Sequence, residues 1–120
     1  MSGETILLAE DETLVRMVAA EFLRDAGFNV VEAPDSDAAL ELLKSDPAIA
    51  LLITDINMPG MNGYQLAEAG IALRPGLHLL MMTGYAEEPP PRIRALARFD
   101  IIRKPFDFDL LVKLVQSTLA

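Results

Sequence analysis

The sequence predicts an α/β fold in which helices cover both faces of a doubly wound, five-stranded parallel sheet. Short apolar runs of strand length alternate with helical patterns five times along the chain, which is typical of βα units joined by right-handed crossovers. The runs are almost wholly apolar, as expected for strands that are buried on both faces. With 120 residues, the chain is expected to form one domain, residues 1–120, without an output domain.

The first βα unit has a clear beginning and end. Residues 5–9 are predicted to form the first strand and residues 13–26 the first helix, with Gly27 as a left-handed residue that ends the helix. The apolar stripe that this helix is expected to turn toward the core consists of Leu14, Val15, Val18 and Phe22.

The second βα unit follows the same pattern. Its strand contains Val30 and Val31, and either Asp35 or Ser36 is expected to cap the helix that follows. The dipeptide at 46–47 contains proline and ends that helix. The residues expected to face the core are Ala39, Leu40 and Leu43.

The middle of the chain supplies the third unit and the fourth strand. The third strand is predicted over residues 50–54, and a helix of about ten residues follows the loop that ends at Gly63. Residues 74–76, Arg-Pro-Gly, stop this helix, and the fourth strand is predicted over residues 77–82.

The last third of the chain contains the one irregular unit. Three consecutive prolines at 89–91 exclude a helical interior, so only a short helix over 91–98 is predicted there. The fifth strand is predicted over residues 100–103, and Asp107 is expected to cap the last helix. The apolar residues of that helix are Leu110, Leu111, Leu114 and Val115.

Composition excludes several classes of protein. The net charge of −8 argues against a nucleic-acid surface, which needs a basic patch. No segment approaches the ~20 consecutive apolar residues of a membrane helix, and residues 1–4 do not begin a signal peptide. The chain has no cysteine and therefore no disulfide framework. We expect a cytoplasmic location, with neither nucleic acid nor membrane as a partner.

Polar and charged side chains stand at the ends of four predicted strands. They are Glu10, Asp11, Glu12, Asp55, Thr83 and Lys104. Because the carboxyl ends of parallel strands meet at one rim of the sheet, and ligands bind there in open α/β sheets, we expect these side chains to converge.

The chemistry of this set is that of a divalent metal and a phosphoryl group. Glu10, Asp11 and Asp55 would repel each other unless a cation neutralised them, and ligands that are all oxygen favour Mg²⁺. Asp55 is the candidate nucleophile that would form an acyl phosphate. Lys104 would offer a charge and Thr83 a hydroxyl to the phosphoryl oxygens.

A simpler interpretation is that the acids only cap the helices that follow them. For Glu10 or Glu12 this explanation is about as good as a metal site. It explains Asp55 poorly, because the next helix begins several residues later, beyond Gly60.

Over residues 5–119 the chain resembles the receiver domain of two-component response regulators, the CheY-like superfamily. The resemblance rests on residues 6–12, 52–63, 82–84 and 104–106, which read ILLAEDE, LITDINMPGMNG, MTG and KPF. It implies the flavodoxin-like (βα)5 receiver fold, with five helices and a sheet in the order 2-1-3-4-5.

The resemblance also implies a phosphoprotein of the phosphorelay. Asp55 would take a phosphoryl group from the phosphohistidine of a sensor histidine kinase or a histidine phosphotransfer protein. The implied catalytic residues are Asp55, Thr83 and Lys104. The implied Mg²⁺ ligands are Asp11 and Asp55 directly, Glu10 through water, and Asn57 through its backbone carbonyl.

In the family, phosphate draws the threonine inward, and an aromatic residue of strand five follows it. The surface of the fourth helix, fifth strand and fifth helix then changes shape for a downstream protein target. The chain is expected to be a monomer or a weak homodimer. It is expected to catalyse only its own phosphotransfer and autodephosphorylation. The Lys104–Pro105 bond is typically cis in the family.

Three features depart from the family pattern. Ile101 stands where the family usually has Tyr or Phe, and Tyr85 is the candidate to stand in for that aromatic or to gate water. The prolines at 89–91 replace much of the fourth helix, and Gly70 lies inside the third helix. A pseudo-receiver that binds a partner without phosphate is therefore an alternative. A haloacid-dehalogenase-type phosphatase is a second alternative, but it needs an aspartate where Asn57 stands.

Overall fold

The computed structural model describes residues 4–84, 99–104 and 107–120. Within these residues the chain forms five strands and four helices. The predictions that lie outside the described residues are the short helix over 91–98, the role of Tyr85, the proline run at 89–91 and the Lys104–Pro105 bond.

The five strands form one parallel sheet in the order β2-β1-β3-β4-β5, which confirms the predicted fold class and strand order. The strands are β1 Thr5–Ala9, β2 Asn29–Ala33, β3 Ile49–Asp55, β4 His78–Thr83 and β5 Phe99–Arg103. The register aligns Ala9 with Thr54, Asp55 with Met82, and Thr83 with Arg103. The carboxyl ends of β1, β3, β4 and β5 therefore reach the same rim.

The helices are α1 Thr13–Asp25, α2 Ser36–Ser45, α3 Gly63–Leu73 and α4 Phe108–Leu119. Asp35 caps α2 by accepting a hydrogen bond from the Ala38 N–H, and Gly27 has the predicted positive φ, 101°, after α1. Asp107 accepts from Asp109 at the start of α4. Among the described helices, the longest has 13 residues, and none is long and apolar enough to cross a membrane.

Each face of the sheet carries its own core, because successive strand residues point to opposite faces. Leu7 and Leu52 face α2 and α3 and pack with Leu43 and Leu66. On the other face, toward α1 and α4, the buried residues include Ile6, Leu8, Leu23, Ile53, Leu80 and Leu111.

The predicted apolar stripe of α1 is wrong for Leu14 and Phe22, whereas Val15 and Val18 are half-buried. Leu14 is 73% exposed and Phe22 is partly exposed, whereas Ala19, Ala20 and Leu23 form the buried face. The two small alanines let the helix lie close to the sheet. Phe22 instead stacks on Phe108 of α4, with ring centroids 5.2 Å apart.

Gly63, the first residue of α3, lies against the backbone that carries Asp55. Its N–H donates to the Ile56 carbonyl at 2.9 Å. A Cβ on Gly63 would lie 2.7 Å from the Ile56 Cα and closer still to the Asp55 carbonyl oxygen. Both neighbours are backbone atoms, so only glycine allows the loop after β3 to close here.

The substitution Gly63→Ala should lower the free energy of unfolding by roughly 2–3 kcal/mol, because the added methyl group must displace backbone rather than a flexible side chain. Urea titration followed by circular dichroism measures this loss. Gly76→Ala is the matched control, since a Cβ on Gly76 has no neighbour within 4 Å. A loss no larger for Gly63→Ala than for Gly76→Ala would contradict the steric explanation.

Candidate functional site

An open cavity of about 450 Å³ lies at the carboxyl rim of the sheet. Its lining residues are Asp11, Glu12, Asp55, Asn57, Gly84 and Lys104. It forms where the residues that follow β1, β3, β4 and β5 come together, which is where ligands bind in open α/β sheets.

The sheet itself fixes the backbone of this rim. The N–H of Glu10 donates to Ala33 at the end of β2, at 3.1 Å, and the N–H of Lys104 donates to Thr83 at the end of β4, at 2.7 Å. Both bonds continue parallel strand pairing one residue past the strand ends. The side chains of Glu10 and Lys104 are thereby held at fixed positions over the sheet.

Lys104 joins the acidic residues of the rim. Its Nζ lies 2.8 Å from Glu10 Oε1, 2.8 Å from Asp55 Oδ2 and 3.5 Å from Glu12 Oε1. The carboxylates of Glu10 and Asp55 are buried and that of Glu12 is exposed. Two of these ion pairs are therefore shielded from solvent, where charged hydrogen bonds are strongest.

Burial and neighbouring charges shift the pKa of Glu10 and of Lys104, which form an ion pair with each other. Burial raises the pKa of Glu10 above its ordinary value, and the hydrogen bond from Lys104 only partly opposes this. Burial alone would lower the pKa of Lys104, but its hydrogen bonds to Asp55 and Glu10 outweigh burial and raise it. The stabilisation that accompanies the raised pKa of Lys104 is present through neutral pH and is lost as pH rises above the ordinary lysine pKa.

Three of the predicted metal ligands come together. Glu10, Asp11 and Asp55 each offer one carboxylate oxygen, and these three atoms lie within 4.8 Å of one another. All three donors are oxygens, so the set fits a hard divalent cation such as Mg²⁺. His78 lies at the opposite end of β4 and takes no part in this group.

The other two predicted residues lie beside this group. Asn57 lines the cavity and donates its backbone N–H to Asp55 Oδ1 at 3.1 Å. Thr83 is buried at the end of β4, and its neighbour Gly84 lines the cavity. The metal role of the Asn57 carbonyl and the phosphoryl role of the Thr83 hydroxyl stay predictions.

Glu12 is a site residue that the resemblance does not include among the catalytic residues or the metal ligands. It lines the cavity and is the third carboxylate within reach of Lys104. Its position directly after Glu10 and Asp11 was the available signal. The simpler interpretation as a helix cap does not hold for Glu12, which makes no side-chain capping hydrogen bond at the start of α1.

The aromatic residue that β5 carries lies two residues before the position expected from the resemblance. Ile101 pairs in register with Met81 and is 36% exposed. Phe99, on the same face of β5, packs edge-on against Tyr64 of α3 with ring centroids 6.4 Å apart. The edge of the sheet thus holds an aromatic pair, although Ile101 itself is aliphatic.

Comparison with known proteins agrees with this geometry. The response regulator receiver domain family matches residues 6–116. The response regulator receiver protein CpdR of Brucella abortus (strain 2308) is 34% identical over 115 residues, which cover 95% of each chain. The sensor kinase CckA of the same strain is 33% identical over 122 residues, which cover 99% of this chain but only 13% of the kinase.

Solved structures show the same architecture. The receiver domain of a hybrid histidine kinase CckA has a TM-score of 0.84 and 32% identity, with 97% of this chain and 99% of that chain covered. A CheY-like receiver domain protein of Methanospirillum hungatei JF-1 has a TM-score of 0.88 and 28% identity, with 98% and 94% covered. Fold, rim geometry and sequence lead to one conclusion: the chain belongs to the response regulator receiver domain family.

Proposed function

We propose that this chain is a phosphorylatable receiver, residues 1–120, that takes a phosphoryl group onto Asp55. The donor is the phosphohistidine of a sensor histidine kinase or of a histidine phosphotransfer protein, and the reaction requires Mg²⁺. The observation that carries the proposal is the placement of the Asp55 carboxylate in an open cavity, 2.8 Å from Lys104 Nζ and beside Glu10 and Asp11.

The transfer is a displacement at phosphorus. A carboxylate oxygen of Asp55 forms the new P–O bond while the P–N bond to the donor imidazole breaks, and the imidazole nitrogen keeps the electron pair and takes a proton. The Asn57 N–H on Oδ1 and Lys104 on Oδ2 fix the orientation of the carboxylate. Lys104 and the hydroxyl of Thr83 would then bind phosphoryl oxygens.

The charges of the site suit a divalent cation. Lys104 compensates one of the three clustered carboxylates, Glu10, Asp11 and Asp55, and two negative charges remain. Asp11 and Asp55 would bind Mg²⁺ directly, Glu10 through water and Asn57 through its carbonyl. When bound, the cation neutralises charge on the carboxylate and on the incoming phosphoryl oxygens.

Exposed apolar side chains in the first turns of α1 and α4 support a protein as the phosphodonor. Leu14 and Met17 project from the beginning of α1, which follows directly on Glu12 of the cavity wall. Leu110, in the first turn of α4, is exposed as well. Leu14 and Met17 are three residues apart on α1 and therefore share one helix face, which a docked partner surface would cover.

The experiment that tests the proposal is an amide NMR titration of the wild-type chain with Mg²⁺ and beryllofluoride, a phosphoryl mimic. We expect a shift of the resonances around Asp55, Gly84 and Lys104 that is absent in Asp55→Asn. The control Asp37→Asn changes an exposed aspartate in the first turn of α2 and should respond as the wild type does. A wild-type spectrum that does not respond would overturn the proposal.

A pseudo-receiver that binds its partner without phosphate is the second candidate. The observation that favours it is Ile101, an aliphatic residue where an aromatic switch residue is expected. The same titration separates the two candidates, since a pseudo-receiver would show no Asp55-dependent response to beryllofluoride.

Asp11→Ala should weaken Mg²⁺ binding about tenfold or more, because it removes one of the three clustered carboxylate oxygens. The fold should persist, since Asp11 is exposed and lies outside both cores. Isothermal titration calorimetry with Mg²⁺ measures the effect, with Asp37→Ala as the control for loss of an exposed aspartate. Equal Mg²⁺ affinity in the two variants would remove Asp11 from the metal site.

A further inference from the structure

Arg16 of α1 connects the acidic turn of the site, residues 10–12, to β2 at the edge of the sheet. Its side chain is only 15% exposed. One guanidinium nitrogen, Nη1, donates to the backbone carbonyl of Glu10 at 2.8 Å, and Nε lies 3.4 Å from Glu32 Oε1 on β2. The nitrogens of a planar guanidinium are far enough apart to reach two separate acceptors in fixed directions, whereas a lysine has one charged nitrogen on a flexible stem.

Glu32 also pairs with a second arginine that does not touch the site. Arg24 Nη1 lies 3.1 Å from Glu32 Oε2, and Arg24 Nη2 donates to the Val30 carbonyl at 2.9 Å. Arg16 and Arg24 therefore share one carboxylate and each binds one backbone carbonyl. The difference is that Arg16 binds the carbonyl of Glu10, in the acidic turn, and Arg24 binds a carbonyl of β2.

On the helix side, the acidic turn, residues 10–12, is also held by the hydrogen bond from the Arg16 backbone N–H to the Glu12 carbonyl at 2.9 Å, which any residue at position 16 except proline would make. Glu12 is the N-cap residue of α1 but makes no side-chain capping hydrogen bond. Its N–H donates back to Glu10 Oε2 at 3.0 Å, so the position of Glu12 depends on that of Glu10. The N–H of Glu10 is bound to Ala33 and its carbonyl to Arg16, so Arg16 completes the restraint of the Glu10 backbone.

We propose that Arg16 is a positioning residue that holds residues 10–12 in the geometry required for the divalent cation. The proposal rests on the proposed Mg²⁺-dependent function. Arg16 does not contact the cation or the phosphoryl group. It acts through the Glu10 carbonyl, which lies directly before the metal ligand Asp11, and Glu32 balances its charge.

The test compares Arg16→Gln with Arg24→Gln, which loses the same charge and the same partner, Glu32, but leaves the Glu10 carbonyl bound. Loss of a positive charge near the carboxylates should by itself strengthen Mg²⁺ binding. We expect the opposite for Arg16→Gln, a dissociation constant for Mg²⁺ about tenfold higher by calorimetry. Arg24→Gln should stay within about twofold of the wild type. Arg16→Lys, which retains charge but not the two-acceptor geometry, should fall between them.

A second measurement does not depend on the metal. Without Mg²⁺, hydrogen exchange of the Glu12 amide should be about tenfold faster in Arg16→Gln than in Arg24→Gln, since the Glu10 side chain that accepts its bond is less restrained. Equal exchange and equal Mg²⁺ affinity in the two variants would overturn the positioning role. If the wild type binds no Mg²⁺, the proposed function fails, and the exchange rates still decide whether Arg16 restrains the turn.

Discussion

Asp55→Asn is expected to abolish phosphoryl uptake while the fold persists. An amide oxygen carries no negative charge and cannot form a stable acyl phosphate, so the displacement at phosphorus has no nucleophile. The side chain keeps its shape, and its oxygen can still accept the hydrogen bond from the Asn57 N–H that Asp55 Oδ1 accepts. Lys104 keeps its pair with Glu10 at 2.8 Å, so no buried ammonium is left without a partner.

Intact-protein mass spectrometry after incubation with acetyl phosphate and Mg²⁺ measures uptake as the gain of one phosphoryl group. The wild type and Asp37→Asn should gain it, and Asp55→Asn should not. Circular dichroism and urea unfolding verify that all three proteins are folded. Undiminished uptake by Asp55→Asn would refute the assignment of the nucleophile and would direct attention to Asp11, which lines the same cavity.

Much of this fold could be predicted because the signals are local. Apolar runs long enough for one buried strand are separated by Gly27, the proline at 47 and the Arg-Pro-Gly stop at 74–76. The ends predicted for β1, β3, β4 and β5 lie within one residue of their observed positions, and Val30 and Val31 lie in β2 as predicted. Once the strands are parallel, their carboxyl ends share a rim. That rule predicts that Glu10, Asp11 and Asp55 lie close together, as they do in the structure.

The apolar residues of α1 do not define which face of the helix is buried, because they form two sets on different faces. Leu14 and Phe22 are large and suggest one face, whereas Ala19, Ala20 and Leu23 form the face that is buried. Helix–sheet distance decides between them, and that distance depends on contacts with distant parts of the chain. Phe22 lies outside the buried face of α1, where its ring stacks on that of Phe108.

The sequence likewise gives no direct signal for the residues that hold the site in place without taking part in its chemistry. Gly63, eight residues beyond Asp55, is required by a close backbone approach that no propensity scale records. Arg16 binds the Glu10 carbonyl, six residues earlier in the chain, and forms an ion pair with Glu32 on β2. A reactive or metal-binding side chain can be predicted from its residue type. A side chain that only holds another group in place is identified by its contacts in the structure.

Lys104→Met should lower the free energy of unfolding of the metal-free protein by about 3 kcal/mol at neutral pH. Lys104 is 19% exposed on its side chain, and its removal leaves the buried carboxylates of Glu10 and Asp55 without their cation. The loss should shrink with saturating Mg²⁺, which supplies positive charge to the same oxygens. Lys44→Met, which breaks only an exposed pair with Glu41, should cost less than about 0.5 kcal/mol under either condition.

The loss in Lys104→Met should also depend on pH in a defined direction. Burial already raises the pKa of Glu10, and the hydrogen bond from Lys104 is what opposes that rise. Without Lys104 the folded protein favours protonated Glu10 more strongly, so the variant gains stability relative to the wild type as pH falls from neutral toward about 5. Urea unfolding of both proteins across this range, with and without Mg²⁺, measures the difference. A deficit that is constant in pH and unaffected by Mg²⁺ would mean that Lys104 stabilises the fold by packing rather than by balancing the charge of the acidic rim.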